Sequence, residues 1–190
     1  ALRLGTFLFM RIHKDGEDKR FRSIKPSATQ FFMTWTLQGL WVSMCSMCAL
    51  TAISSETGVV MNALFYIGLG LFIYGFCTEI IADNQKSKFR SIPENRDKFI
   101  TTGLWAKSRH PNFFGEIVLW AGIAVMSFSS LNGLQYLTLI SPVFTYLLLV
   151  YVSGVRMLEA RADKKWGQDE EYVKYKSETP VLMIKYLGRP

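Results

Sequence analysis

The sequence has very little of what a metal site, a disulfide scaffold or a glycine-cradled nucleotide site requires. Its 190 residues include 3 cysteines and 2 histidines. Cys45, Cys48 and Cys77 all fall in apolar blocks, where an odd number argues against a disulfide framework. Cys45-Ser-Met-Cys48 has CxxC spacing but no second Cys or His pair, so it reads as buried small hydrophobes, and no metal is expected. No GxGxxG and no GxxxxGKS occurs, which excludes a Rossmann or P-loop phosphate cradle. Gly68-Leu-Gly70 lies inside an apolar run and suits close helix packing instead. The chain also lacks an internal repeat, a low-complexity linker and a nucleic-acid recognition module, so its net charge of +7 is not read as a nucleic-acid footprint.

Charge itself is missing over long stretches. Hydrophobic residues make up 49% of the chain, and they are clustered into blocks rather than spread periodically. Residues 31–55, 58–82, 113–131 and 134–158 are each about the length needed to cross a bilayer, and each holds at most one acidic residue. The expected fold is therefore all-α: a multi-pass transmembrane helical bundle, one membrane domain over residues 1–190, with a charged helical tail over residues 159–190 at the membrane surface. Residues 2–12 are largely apolar with Arg3 and Arg11 among them, too short to span and too charged for a signal core. They read as the end of a helix whose beginning is missing, the alternative being a short interfacial helix.

What charge there is follows a rule. The segment over residues 11–25 is net positive, residues 83–109 carry seven Lys and Arg, and the tail after Leu158 is charged again. The connections between them, near Glu56 and near Asn132, contain no Lys or Arg. Apart from Arg3, and with Arg156 at the mouth of the last span, every cation lies in three segments that an even alternation places on one membrane face, the cytoplasmic side or its organellar equivalent.

The stretch from Gly103 to Trp120 runs from a basic, proline-broken entrance straight into an apolar helix. Pro111 suits a first helical turn, which puts Arg109 and His110 at the helix mouth and Asn112, Glu116 and Trp120 on one face at i, i+4 and i+8. An ionisable group at the edge of a membrane-like run is costly enough to suggest function. The structural alternative is a snorkelling Glu116 paired with Arg109. Glu79 and Asp83 end the second span, with Lys86 and Arg90 continuing that helical face. A phosphate-bearing ligand would find donors in Lys86, Lys88, Arg90, Lys98 and Arg109. In the tail, Glu159 and Asp163 share a face, Gly167 stops the helix, and Tyr172 and Tyr175 form a short aromatic face.

Together, Asp83-Asn-Gln-Lys-Ser-Lys-Phe-Arg90, Gly103-Leu-Trp105, Arg109-His-Pro-Asn-Phe-Phe-Gly-Glu116 and Lys165-Trp-Gly167, followed by Tyr172 and Tyr175, resemble the steroid 5-alpha-reductase-like membrane proteins, in particular their bacterial and organellar branch. Sterol reductases and isoprenylcysteine carboxyl methyltransferases are more distant likenesses. The resemblance implies that NADPH sits in a polar cavity open to the cytosol, held by positions matching Glu79, Asp83, Arg90, Asn112, Glu116 and Trp120. Lys98 stands where the family usually has Arg, and Trp166 where a Tyr often contributes. Arg109, His110, Glu159 and Tyr172 complete the expected cofactor-binding set. The family's substrate-polarising acid and tyrosine come from helices N-terminal to anything matching this chain, so no catalytic residue is assigned. The implied activity is NADPH-dependent reduction of an enone or enoyl double bond in a lipid or steroid, by an integral protein of the endoplasmic reticulum, the bacterial inner membrane or the mitochondrial inner membrane. Two alternatives stand beside it: a non-catalytic subunit that packs with partner membrane subunits in a larger complex, and an S-adenosylmethionine-dependent methyltransferase.

Overall fold

The computed structural model describes residues 2–17, 21–22, 24–152 and 154–184, and it is helical throughout, with no strand among the described residues. Four helices are long and apolar enough to cross a membrane, beginning at Ala28, Ala63, Pro111 and Gly133. The chain is thus an all-α membrane protein. It forms two compact units, Ala1–Ser43 and Met44–Pro190.

The first unit contains helix α1, Leu2–Asp15, and the opening turns of helix α2, Ala28–Ser54. The hydroxyl of Ser27 accepts from the Gln30 backbone N–H at 3.3 Å and so satisfies one orphan donor at the start of α2. Trp35, one turn on from Phe31, stacks on Phe21 with ring centroids 6.0 Å apart.

The second unit is organised by helix α3, Ala63–Ser91, and helix α4, Pro111–Ser127. Asn62 caps α3 by accepting from the Phe65 N–H at 3.2 Å, and Pro111 opens α4 in the first turn, where a missing N–H costs nothing. The two helices run antiparallel through two pairs of glycines, Gly68 with Gly122 and Gly75 with Gly115. A Cβ built at Gly75 would lie 2.5 Å from the Gly115 carbonyl oxygen, and one at Gly122 would lie 2.6 Å from the Phe72 nitrogen. Seven residues separate the glycines on each helix, about two turns, which keeps both contacts on one face. In lipid, where tails compete equally for apolar side chains, this backbone proximity supplies the packing that holds helices together. Gly70 points into open space, so the Gly68-Leu-Gly70 pair splits into one packing residue and one that packs against nothing.

The fourth apolar block is wound less regularly than a single α-helix. It begins as a 3-10 helix, Gly133–Ile140, becomes helix α5, Ser141–Leu147, widens into a π-helical stretch, Leu148–Val152, and resumes after Gly154 as helix α6, Val155–Trp166. Pro142, which cannot donate, stands at the first change of winding. Gly154 occupies φ −112, ψ −99, and a Cβ there would strike the Leu149 carbonyl oxygen at 2.1 Å. Buried hydroxyls tie this block to the end of α2: Ser141 donates to the Cys45 carbonyl, and Thr145 meets the Cys45 sulfur at 3.3 Å. Cys45 and Cys48 are buried and free, and Cys77 is exposed and free.

The connections without Lys or Arg meet at one end of this unit. The Ser130 hydroxyl accepts from the Val60 N–H at 2.9 Å, and the Asn62 amide donates to Ser129 at 2.8 Å. The charged segments gather at the other end, around the last turns of α3, the start of α4, α6 and helix α7, Glu170–Glu178.

Candidate functional site

At the charged end, α3 runs nine residues past Ala82 and carries Lys86, Phe89 and Arg90 outward. The Gly103-Leu-Trp105 turn closes back on it. Gly103 takes φ +65, which a glycine tolerates without strain, and the Gln85 side chain packs against it and accepts from the Leu104 N–H at 2.9 Å. The buried Trp105 indole donates to the Ala82 carbonyl at 3.0 Å, and the Lys86 ammonium lies 4.6 Å over the same ring. This clasp explains why those three residues occur together.

The entrance to α4 is held by the C-terminal segment. The Arg109 N–H donates to the Pro180 carbonyl at 2.9 Å, the His110 N–H to Val181 at 3.0 Å, and the Ser108 hydroxyl to Leu182 at 2.9 Å. Ser108 thus faces the C-terminal segment, while Arg109 and His110 turn their side chains toward α6. There Glu159 receives His110 at 2.8 Å and Arg109 at 3.1 Å, with the Lys176 ammonium 3.9 Å away. Asp169 caps α7 through the Glu171 and Tyr172 N–H groups, and the turn after Gly167 returns α7 along α6, where Asp163 accepts from the Tyr172 hydroxyl at 3.1 Å and Lys176 at 2.5 Å.

Between these elements lies a cavity of about 460 Å³. Its wall carries Lys86 and Arg90 from α3, Arg96 and Lys98 from the loop beyond it, Arg109, and Arg161 and Lys165 from α6, against Glu159 as the one carboxylate among the lining residues. Among the described residues Arg90, Arg96, Lys98 and Arg161 form no ion pair. The remaining wall is mostly aromatic, with Ile100, Leu158 and Ala162 among the rings. Phe99 packs on Tyr172, Trp166 and Tyr175 at centroid distances of 5.3, 5.8 and 5.8 Å. Burial, reinforced by the Asp163 carboxylate, pushes the Tyr172 phenol well above its ordinary range, and burial pushes Tyr175 up to about 12. Both stay neutral and donate, Tyr175 to the Trp105 carbonyl at 2.6 Å. The Lys165 ammonium, at 2.7 Å, holds the exposed Asp97 carboxyl below its usual value.

Of the twelve positions expected to bind a cofactor, Arg90, Lys98, Arg109, His110, Glu159, Trp166 and Tyr172 line this cavity. Glu79, Asp83, Asn112, Glu116 and Trp120 do not; they sit along the seam of α3 and α4 below it, where Glu116 faces Trp120 and the carboxylate of Glu79. Arg109 is therefore not the partner of Glu116, because the strap at residues 180–182 turns it toward Glu159. Two buried polar atoms, Arg109 Nε and Asn112 Oδ1, have no hydrogen-bond partner. Phe99, Arg96, Arg161 and Lys165 line the cavity but stood outside the expected cofactor-binding set. The last two were recoverable, since Leu158, Arg161, Ala162, Lys165 and Trp166 follow helical spacing on one face.

Comparison with known proteins finds a limited set of likenesses. A probable O-methyltransferase of Ustilaginoidea virens is 30% identical over 116 residues, covering 53% of this chain and 41% of that protein. The chain thus spans well under half the length of this curated relative. No solved structure is significantly similar. The family model described as "Protein of unknown function (DUF1295)" matches residues 1–179, and with nearly the whole chain covered, including every helix that forms the cavity, the chain belongs to that family.

Proposed function

We propose that the protein is an NADPH-dependent reductase of an enone or enoyl double bond in a lipid or steroid substrate. The observation that carries this reading is the charge of the cavity: seven cations against one carboxylate, four of the cations without an acidic partner among the described residues, on a wall otherwise built mostly of aromatic rings. Unpaired cations in a confined space are costly unless an anion joins them, and a dinucleotide with three phosphate groups supplies both the charge and flat rings to stack. The donor set fits such a cofactor. Arg90, Arg96, Lys98 and Arg161 would hold phosphates, the orphaned Arg109 Nε offers one further donor, and Phe99 and Trp166 offer ring faces. Asn112 Oδ1, buried and unmatched, suits a carboxamide N–H, and Glu79, Asp83 and Glu116 on the same seam suit ribose hydroxyls. NADPH, when bound, supplies a hydride to the β carbon of the activated double bond. The surrounding residues bind and orient; the spans bring an apolar substrate within the bilayer to the seam.

Titrating NADPH into the purified full chain tests the reading. Heat of binding is expected, and Arg90→Ala weakens it by roughly 1–3 kcal/mol, as loss of a charge-assisted phosphate contact does. No heat from the wild type overturns it. A second reading, an S-adenosylmethionine-dependent methyltransferase, is favoured by one observation, the printed name of the Ustilaginoidea virens relative. That cofactor has no phosphate and carries a sulfonium, so it leaves the four unpaired cations unexplained. A melting shift with S-adenosylmethionine and none with NADPH would decide for it, since ligand at a hundred times its Kd stabilises by about 2.7 kcal/mol.

A further inference from the structure

Phe99 stands between two cavities of opposite charge. Beyond it lies a groove of about 740 Å³ that shares Phe89, Lys98, Phe99, Trp166 and Tyr175 with the cationic cavity. The rest of its charged wall differs: Asp97, Asp169, Glu171 and Glu178 stand there, with Lys174 as the one added cation. Asp97 is matched by Lys165 and Asp169 is used in capping α7, but Glu171 and Glu178 have no side-chain partner among the described residues. An acidic groove with an aromatic floor repels a polyanion and attracts an organic cation, because ring faces and carboxylates both favour an ammonium group. The floor already receives one: the Lys165 ammonium lies 4.9 Å over the Trp166 ring.

Location narrows the ligand. The groove opens beside Phe89 of α3, seven residues or about 10 Å past the end of the apolar run at Ala82, a distance that suits the polar region of a bilayer. Lys98 and Lys174 add two positive charges to the same wall, enough for a phosphodiester next to the ammonium. We propose that this groove binds the headgroup of a zwitterionic phospholipid, with the ammonium against the rings and the free carboxylates and the phosphodiester toward the lysines. It shares Lys98, Phe99 and Trp166 with the cofactor reading but does not rest on it, since the free carboxylates and Lys174 belong to this groove alone. Occupancy by a lipid would tie the wall shared by Lys98, Phe99 and Trp166 to the bilayer surface.

The test is calorimetric titration of the full chain, in a nonionic detergent without nucleotide, with short-chain phosphatidylcholine, short-chain phosphatidylglycerol and free phosphocholine. The zwitterionic lipid is expected to bind and the anionic lipid not to bind. Exchanging both free carboxylates, Glu171→Gln with Glu178→Gln, is expected to weaken phosphatidylcholine about tenfold while leaving the melting temperature unchanged, as loss of two exposed charge contacts does. Equal affinity for the two lipids, or a double variant that melts normally and binds normally, overturns the proposal. Free phosphocholine binding as tightly as the lipid assigns the groove to a soluble phosphodiester and overturns the lipid assignment.

Discussion

Single side chains at this site are held by bonds whose loss has a sign. The Tyr175 hydroxyl donates to the Trp105 carbonyl, and burial raises its ionisation to about 12, against about 10 for an unperturbed phenol. The native state therefore keeps the proton that the unfolded chain gives up first. The stabilisation is fully present below the unfolded value and is lost as pH climbs from about 10 to about 12. Following phenolate absorbance while titrating the detergent-solubilised protein should reveal late-titrating tyrosines, with one fewer in Tyr175→Phe; an unchanged late fraction in that variant would reassign the shift. Glu116 is a different case. Glu116→Gln keeps its size and some hydrogen bonding beside Trp120 but removes the ionisable carboxyl facing Glu79. If the seam orients the reacting end of a cofactor, this variant lowers turnover more than it lowers NADPH affinity, the reverse of Arg90→Ala. Measuring both constants separates orientation from binding.

Elements are placed by backbone contacts, and here the sequence was readable in part. The four apolar blocks, the proline opening α4 and the cap-and-stop signals around Gly167 and Asp169 all lie within short windows, so period, length and capping chemistry expose them. The partner of a glycine is a tertiary fact. Nothing local distinguishes Gly68, which meets Gly122, from Gly70, which meets nothing, and nothing local says that Arg109 turns to Glu159 because residues 180–182 bind the segment before α4. The same limit hid Phe99, an ordinary aromatic until α6 and α7 fold over it. The glycine contact yields a paired prediction. Gly75→Ala places a methyl 2.5 Å from the Gly115 carbonyl oxygen and should destabilise the protein by about 1–3 kcal/mol, as overpacking does. Gly70→Ala meets open space and should be neutral or slightly stabilising through helix propensity. Thermal melting of the two variants in one detergent distinguishes them, and equal losses would show that the α3–α4 contact is looser than its geometry.

At the scale of the molecule, the distribution of charge and the arrangement of chain are two views of one constraint. A bilayer admits helices whose backbone is internally satisfied and keeps their cations on one side, so the even alternation of charged and uncharged connections orders the ends of the bundle before any contact is considered. The second unit has that order. Its connections without Lys or Arg hydrogen-bond to each other through Asn62, Ser129 and Ser130, and seven of its cations line one cavity at the opposite end. The consequence can be tested without knowing the activity. A cysteine at Glu56 and a cysteine at Arg96, each introduced into a chain with Cys45, Cys48 and Cys77 replaced by serine or alanine, should react with an impermeant thiol reagent from opposite faces of a sealed vesicle, since α3 alone lies between them. Asn132 should follow position 56 and Lys174 should follow position 96. Labelling of 56 and 96 from the same side would require an even number of crossings between them, which one helix of 29 residues cannot supply, and it would move the cationic cavity away from the compartment where nucleotides are found.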